Sequence, residues 1–524
     1  MLQHDPTPVS RRSLLTFVTG VVALAGGTSL LAACGAAAAS TGSVTTTAAT
    51  TSSVPALATS AATSAQATRS AGTTATASST ASVAASAAAT STAAATTAAA
   101  TTTSATQSNI MIAAAAGGAT VQWWNGYAKP QTLASDLFTK QWTPTHPKLG
   151  IELVQHVGNN IKAEEQLTVL LASGTPPDLC DVPMSENDLA THGLSQPIDD
   201  LVAQDKYDLT KYNKGFMELA KANGKLYAIP YSTGGNGYVM VYNRNMLAQA
   251  GITEPPASWD QPWSWNDFRD NVHKLTKGSG TQMTQAGLGD YGYYILTIPI
   301  PWKTDWITAD LKTITADAPE MITAYSDYLD MVLKDGTTAA SPDVKLDGSG
   351  SLGVFGAGQT AISMLGSWQM ADLSKLTKVD WSFMPTPKGA LSSPEFGPVF
   401  LAIANGAKHR DDAWTLLKWL VEGGRYSNFI GRAGATKADA TTVLQDLFKG
   451  VPNARTQVLL DEYDIAQPLP YIRRHPAWGQ MSTETDKAWA QMSKGQVAVP
   501  TAMSSLKTAL QGIVDQYNKS HATG

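Results

Sequence analysis

Between Gly35 and Gly118 the chain is almost entirely Ala, Ser and Thr, and Arg69 is its one charge. No other feature narrows the possible folds as much. The stretch has no hydrophobic period and too little apolar area to offset the entropy of ordering its backbone, so it cannot form a packed core. Alanine runs favour helix, while threonine branching and serine hydroxyls oppose it. It reads as a flexible tether, with hydroxyls open to O-glycosylation. A coil of roughly 80 residues has an r.m.s. span of about 50 Å. Folding is therefore confined to the residues beyond Gly118. From Ala119 onward tryptophans, tyrosines and charges appear together, and about 400 residues remain, enough for a large core and more than one lobe.

Ahead of the tether stands Ser10-Arg11-Arg12-Ser13-Leu14-Leu15, then a moderately apolar run that ends Leu31-Ala32-Ala33-Cys34-Gly35. The run is short and rich in small residues, which suits an export signal better than a membrane span. Arg11 and Arg12 before Leu-Leu resemble a twin-arginine signal, although Sec signals can carry two arginines as well. Leu-Ala-Ala-Cys resembles a bacterial lipobox, with cleavage before Cys34 and lipid on its thiol; the alternative is an ordinary secretory peptide with a chance cysteine. The expected organisation is a signal peptide over 1–33, a lipid-anchored tether over 34–117 and a folded domain over 118–524. Such a chain sits on the outer face of the cytoplasmic membrane, at the cell surface or in the periplasm.

Setting aside Arg11, Arg12 and Arg69 from 37 basic residues, and Asp5 from 42 acidic ones, leaves 34 and 41, a net charge of −7 on the folded part. A nucleic-acid partner would require a basic face, so this class is disfavoured. With Cys34 lipidated, Cys180 is alone and no intramolecular disulfide is possible; it reads as a small buried hydrophobe. The eight histidines are scattered, with no H-E-x-x-H and no cysteine pair, so neither a metal nor any other cofactor is expected.

Along the folded part, 119–124 (A-T-V-Q-W-W) reads as a strand, 133–142 as an amphipathic helix, 151–157 as an alternating strand, 161–173 as a helix and 179–182 as a strand. That alternation is the α/β signature and predicts parallel strands with right-handed crossovers. In G-K-L-Y-A-I-P-Y, from Gly224, a short apolar run is expected to stop at Pro230, which lacks a ladder donor. S-T-G-G-N-G then has to turn or approach something closely. Y-V-M-V-Y, from Tyr238, reads as a buried strand, and a short helix before Gly251 comes next. Two core strands joined through glycines suggest a crossing between lobes. Further helices are expected over 265–275, 318–334, 411–422, 482–492 and 501–519, a β-like stretch over 288–298, and strands over 381–384 and 400–404. Gly348-Ser349-Gly350-Ser351-Leu352-Gly353 satisfies G-x-G-x-x-G formally, but no strand precedes it and it reads as a loop. No Walker A sequence is present.

Six of these segments, in this order, are similar to the sugar-type extracellular solute-binding proteins of bacterial ABC importers, the broad group that includes maltodextrin-binding protein. They are L-A-S-G-T-P-P-D from Leu171, G-K-L-Y-A-I-P-Y from Gly224, V-Y-N-R-N-M-L-A-Q-A-G-I from Val241, P-P-A-S-W-D from Pro255, F-G-A-G-Q-T-A-I-S-M-L-G-S-W from Phe355 and M-P-T-P-K-G from Met384. The resemblance implies a two-lobe, periplasmic-binding-protein-like α/β fold with discontinuous lobes and a ligand cleft between them. One lobe would hold 119–232 plus 395–431, the other 235–390 plus 436–524. It also implies a non-catalytic monomer whose partners are a small-molecule ligand, ABC permease subunits and a separate ATPase, with the membrane reached through Cys34. Hinge closure around ligand suits such a receptor.

A sugar offers an apolar ring face and a fringe of hydroxyls, so a site for it needs aromatic platforms and paired polar groups. Gly366, Ser367 and Trp368 form the block that in this family delivers an aromatic to the cleft, and Trp478 matches a second platform. Trp123, Trp124 and Asn125 lie where the first strand runs out, the usual ligand edge of such a sheet; one tryptophan is expected in the core and the other in the cleft. Tyr231, Thr233 and Asn236 flank the glycine-rich crossing. Asp181, at a strand end, would accept sugar hydroxyls or cap a helix. A mono- or oligosaccharide is the expected ligand, with glycerol phosphate or a polyamine open in view of Arg473 and Arg474. A secreted glycoside hydrolase is the rival reading, though no acidic pair stands out in these segments.

Overall fold

The alternation of A-T-V-Q-W-W-N sets the faces of β2 (Ala119–Asn125): Val121 and Trp123 go to one side of the sheet, Gln122 and Trp124 to the other. In the computed structural model the described residues are 109–126, 128–155, 160–183, 190, 193–232, 238–289, 305–348, 350–388, 398–465, 472 and 475–521. They belong to the unit Ala105–Gly524. Arg11, Arg12, Cys34, most of the tether, Thr233, Asn236, most of the stretch 288–298, Arg473 and Arg474 lie outside the described residues.

β1 (Ile110–Ile112), β2, β3 (Leu149–Gln155) and β4 (Leu179–Pro183) enter one sheet. β1 lies within the stretch read as tether, so folding is not confined to the residues beyond Gly118, because the apolar I-M-I run pairs antiparallel with β3. Helices Leu133–Trp142 and Asn160–Ala172 link β2, β3 and β4, and β2 pairs in parallel with both of the others. The first helix is a π-helix rather than an α-helix, and it ends with the Thr143 N–H donating to Phe138 O at 2.9 Å. After a small hairpin of β5 (Lys221–Ala222) and β6 (Lys225–Leu226), β7 (Ala228–Ser232) forms the far edge, giving the order β1-β3-β2-β4-β12-β7. Pro230 does not stop its strand as the sequence suggested: it lies inside β7 opposite Phe400. β7 is an edge strand and its register slips beside Pro230, so the missing N–H is tolerated.

The second sheet holds β8 (Tyr238–Asn243), β9 (Ala286–Leu288), β10 (Thr360–Gly366) and β11 (Trp381–Met384) in the order β11-β8-β10-β9. Every residue of β10 is buried. Alternation along β8 sends Met240 and Tyr242 into a core with Tyr325, Tyr328 and Met481, and Val239 and Val241 into one with Phe355, Trp381 and Tyr463. The expected helices are present as Trp265–Leu275, Pro319–Leu333, Arg410–Val421, Trp478–Met492 and Val499–His521. The G-S-G-S-L-G run is not a plain loop, because it opens the helix Gly350–Gly356. Gly348 makes the turn into it at φ 108°, where a Cβ would meet the Gly353 backbone at 2.6 Å.

The chain then returns to the first sheet as β12 (Val399–Ile403), antiparallel to both β4 and β7. It enters at the edge where β4 ends, so it has to run back. The parallel arrangement read from the sequence therefore holds for 119–183 and gives way to mixed pairing beyond. A third passage runs through 430–436, where Ala433 buries in the second sheet's core and Ala435 in the first. Short bridges Ser232↔Gly434 and Tyr212↔Thr436 fasten it.

Candidate functional site

Register fixes one edge of each sheet. In the first, Val399 stands opposite Pro183 on one side and Ser232 on the other, and Trp124 stands beside Cys180, so Asn125 ends β2 on this same edge. These are the carboxyl ends of β2, β4 and β7, where ligands settle on such sheets. In the second, Gly366 pairs with Tyr238 and Met384 with Met240. The turn after β10 thus shares the edge at which the chain arrives from β7 and departs toward β12.

On the first edge, Asn125 is fully buried. Its Oδ1 accepts from the Ala128 N–H at 3.4 Å, and its Nδ2 has no hydrogen-bond partner among the described residues. A buried donor left so carries a desolvation cost of about 1–3 kcal/mol that a ligand acceptor would relieve. Trp123 is also fully buried and is core, packed edge-on against Phe138 at 5.8 Å and Tyr426 at 4.9 Å. Its Nε1 donates to Asp181 Oδ1 at 2.9 Å.

Trp124, 3% exposed, does not face this edge as an open platform. It floors a groove of about 590 Å³ on the opposite face of the sheet, beside Gln122, Val154 and Leu170. The expectation that one of the two indoles would be presented is not met, because helix Leu133–Trp142 covers one face and helix Asn160–Ala172 the other.

Asp181 accepts from the Tyr426 hydroxyl at 2.9 Å and the Gly126 N–H at 3.3 Å, as well as from Trp123. Its oxygens are occupied by the protein, as a structural anchor rather than an open sugar acceptor. Burial pushes this carboxyl up to about 7, against the pull of Tyr426, Gly126, Trp123 and the charge of Arg432. Tyr231 is the extra residue where the β7–β12 register shifts. The bulge re-aims its ring, which lies 4.8 Å from that of Tyr426.

On the second edge, Gly366 has a specific reason to be glycine. A Cβ there would sit 2.3 Å from Cε2 and Cζ2 of Trp368, so the indole lies flat against the backbone. Gln369 Oε1 accepts from the Gly366 N–H at 3.1 Å and holds the 3-10 turn Ser367–Gln369. Ser367 is buried and Trp368 half-buried. Trp478 opens the helix Trp478–Met492, is also half-buried, and packs on the same core as Trp368. These two indoles keep exposed area.

Sequence reasoning missed Tyr426, which ties β2, β4 and β7 together. The available signal was the doubled glycine just before it: Gly423 and Gly424 both adopt positive φ, 62° and 63°, and turn the chain into the helix Arg425–Phe429. Other motif residues prove structural. Asp178, of T-P-P-D, accepts from the N–H groups of Gln122 and His409, each at 2.9 Å. Arg244, of V-Y-N-R, bonds Glu254 at 2.7 Å and Asp380 at 3.1 Å. Among the described residues no group of His, Cys, Asp and Glu is arranged to hold a metal, and no helix is long and apolar enough to cross a membrane.

Two α/β lobes, with the chain passing between them at adjoining edges, define a two-lobe binding protein of the periplasmic type. Residues 128–422 match the bacterial extracellular solute-binding protein family, and the chain belongs to that family. A lipoprotein from the oleD 5' region of Streptomyces antibioticus is 24% identical over 298 residues, 54% of this chain and 62% of that protein. The chain thus matches less than two thirds of that relative's length. Among solved structures, the sugar-binding protein MalE of Xanthomonas citri superposes with a TM-score of 0.63 at 16% identity, over 78% of this chain and all of that one. UgpB of Mycobacterium tuberculosis, solved with glycerophosphocholine, gives 0.63 at 18% identity, over 76% and 100%. At such identities the likeness is one of fold.

Proposed function

We propose that this chain is the capture subunit of an ABC importer, closing its two lobes around a mono- or oligosaccharide and delivering it to a permease driven by a separate ATPase. The observation that carries the reading is the pairing of unlike surfaces on the two adjoining edges. One presents the buried amide donor of Asn125, which has no hydrogen-bond partner among the described residues. The other presents the indole of Trp368 laid flat over Gly366, with Trp478 on the same core. An indole face suits a pyranose ring and an amide suits its hydroxyls. The ligand contacts proposed are therefore Asn125, Gly366, Ser367, Trp368 and Trp478, with Tyr231, Thr233 and Asn236 along the crossing. Trp123, Trp124 and Asp181 support the edge from behind.

The lobes proposed are 119–232 plus 395–431 and 235–390 plus 436–524. Cys34 carries the lipid anchor, exported behind Arg11 and Arg12, and the Ala/Ser/Thr tether spaces the monomeric receptor from the membrane. Removing the indole tests the site. Trp368→Ala weakens sugar binding roughly 10- to 100-fold, about 1.4–2.8 kcal/mol, in a protein that still melts cooperatively. Unchanged calorimetric affinity in that folded variant takes Trp368 out of the site.

A further inference from the structure

Asp181 is 2% exposed and lies behind the ligand edge, yet it connects more elements than any other carboxylate described there. Through Trp123 Nε1 and the Gly126 N–H it holds the end of β2 and the turn after it. The Tyr426 hydroxyl brings in the helix Arg425–Phe429. Packed at a tilt against Tyr426 is Tyr231, at the bulged end of β7 where the first passage begins. Beyond that helix the chain enters the third passage, where the Ser232 hydroxyl donates to Ala433 O at 2.9 Å and Ser232 bridges Gly434. One carboxyl thus joins the strand end that carries Asn125 to two of the three passages between the lobes.

We propose that Asp181 is a proton-sensitive latch, whose carboxylate positions the ligand edge and the lobe passages together and whose protonation releases them. The chemistry rests on the three bonds. All three partners are donors, and an ionised carboxylate accepts from all of them with charge assistance. A carboxylic acid loses that charge assistance on all three bonds and gains a proton that it can donate only to a partner able to accept. Tyr426 is the partner able to reverse, since a hydroxyl can also accept, while an indole N–H and a backbone N–H cannot. Protonation therefore acts first on the Tyr426 bond, the one that leads to the passages. Among the described residues the titratable and charged groups facing Asp181 are Tyr426, Tyr231 behind it and Arg432, whose charge favours the ionised form. Burial raises the carboxyl to about 7, so the change falls within the pH range an outward-facing protein meets. The purpose of the latch rests on the binding reading above; its test does not.

The test uses the full chain without ligand, labelled with 15N at tryptophan, the Trp123 indole peak being assigned from Trp123→Phe. In wild type that peak should titrate between roughly pH 5 and pH 9 with a midpoint near 7. In Asp181→Asn it should stay put. Tyr426→Phe removes a bond that favours the charged form, so the midpoint should move up; this variant decides the matter if Asp181→Asn does not fold. Amide exchange over 431–436, referred to Asp181→Asn, should quicken on the acid side of the midpoint. A Trp123 peak that is flat across the range, that still titrates in Asp181→Asn, or whose midpoint ignores Tyr426→Phe would overturn the proposal. So would exchange over 431–436 that does not track the titration. Failure of the sugar-binding reading would leave each of these results unaltered.

Discussion

At the scale of single residues, the proposed site depends most on a glycine. An added methyl at Gly366 would sit 2.3 Å from the Trp368 ring, so Gly366→Ala has to tip the indole off the backbone. We expect sugar affinity to fall about as far as in Trp368→Ala, roughly 10- to 100-fold. Near-UV circular dichroism should register the moved tryptophan while far-UV dichroism stays the same. Full affinity in a folded Gly366→Ala would mean that the ring's position is immaterial. These residues were picked out in the sequence only through the family resemblance of the G-S-W block; the close approach of the indole to Gly366 appears in the structure. The burial of both Trp123 and Trp124 was not legible. Neighbours on a strand go to opposite faces, and nothing local to W-W-N says what covers either face. Here a helix covers each, and Trp123 spends its one donor on Asp181. Tyr426 lies far along the chain from the strands it joins; the doubled glycine before it marks a turn but does not say which strands its ring will meet.

At the scale of elements, an ionic network holds the start of the helix Arg244–Gln249 to two loops. Glu254 accepts from Arg244 Nε at 2.8 Å, from the Tyr242 hydroxyl at 2.9 Å and from Arg455 at 2.5 Å. Asp380 takes Arg244 and Asn453, the latter at 2.8 Å. These side chains are partly open to water, which weakens the network by screening; Glu254→Gln is expected to cost roughly 1–2 kcal/mol in urea unfolding. Burial pushes the Glu254 carboxyl up, but Arg244, Tyr242 and Arg455 outweigh it and hold it below its ordinary value of 4.5. A depressed carboxyl stabilises above its unfolded value, and that contribution is lost as pH falls through the folded one. The gap between wild type and Glu254→Gln should therefore narrow in acid below about 4.5; a gap that widens there would contradict the assignment. The long helices were legible from their amphipathic periods and β8 from its apolar run, whereas β10, buried along its whole length, was identified only as part of a family motif. Pro230 misled because whether a strand lies at an edge is decided by pairing with β12, which local sequence does not record. The opening of the helix Gly350–Gly356 misled because three glycines look like a loop until the turn at Gly348 is seen.

At the scale of the whole molecule, the proposed delivery to a permease calls for a receptor held at the membrane. We expect Cys34→Ala to move the protein from the membrane fraction into the medium, read by fractionation and immunoblot; retention on the membrane would mean that another segment anchors it. The α/β class was legible in the alternation over 119–183. The return of V-F-L-A-I to the first sheet was not, since an apolar pentapeptide does not state which sheet it joins. The family resemblance carried that information.

The measurement that bears most directly on the proposed role is titration calorimetry of the wild-type chain with neutral oligosaccharides such as maltotriose, beside glycerophosphocholine. Binding of a sugar at one site is expected, with the sugar recovered unaltered. A concentration of about 100 times the dissociation constant should add roughly 2.7 kcal/mol of stability and raise the melting temperature, and Trp368→Ala should lose most of that gain. Binding of glycerophosphocholine alone, consumption of the sugar, or silence with every sugar tried would contradict a carbohydrate-capturing receptor.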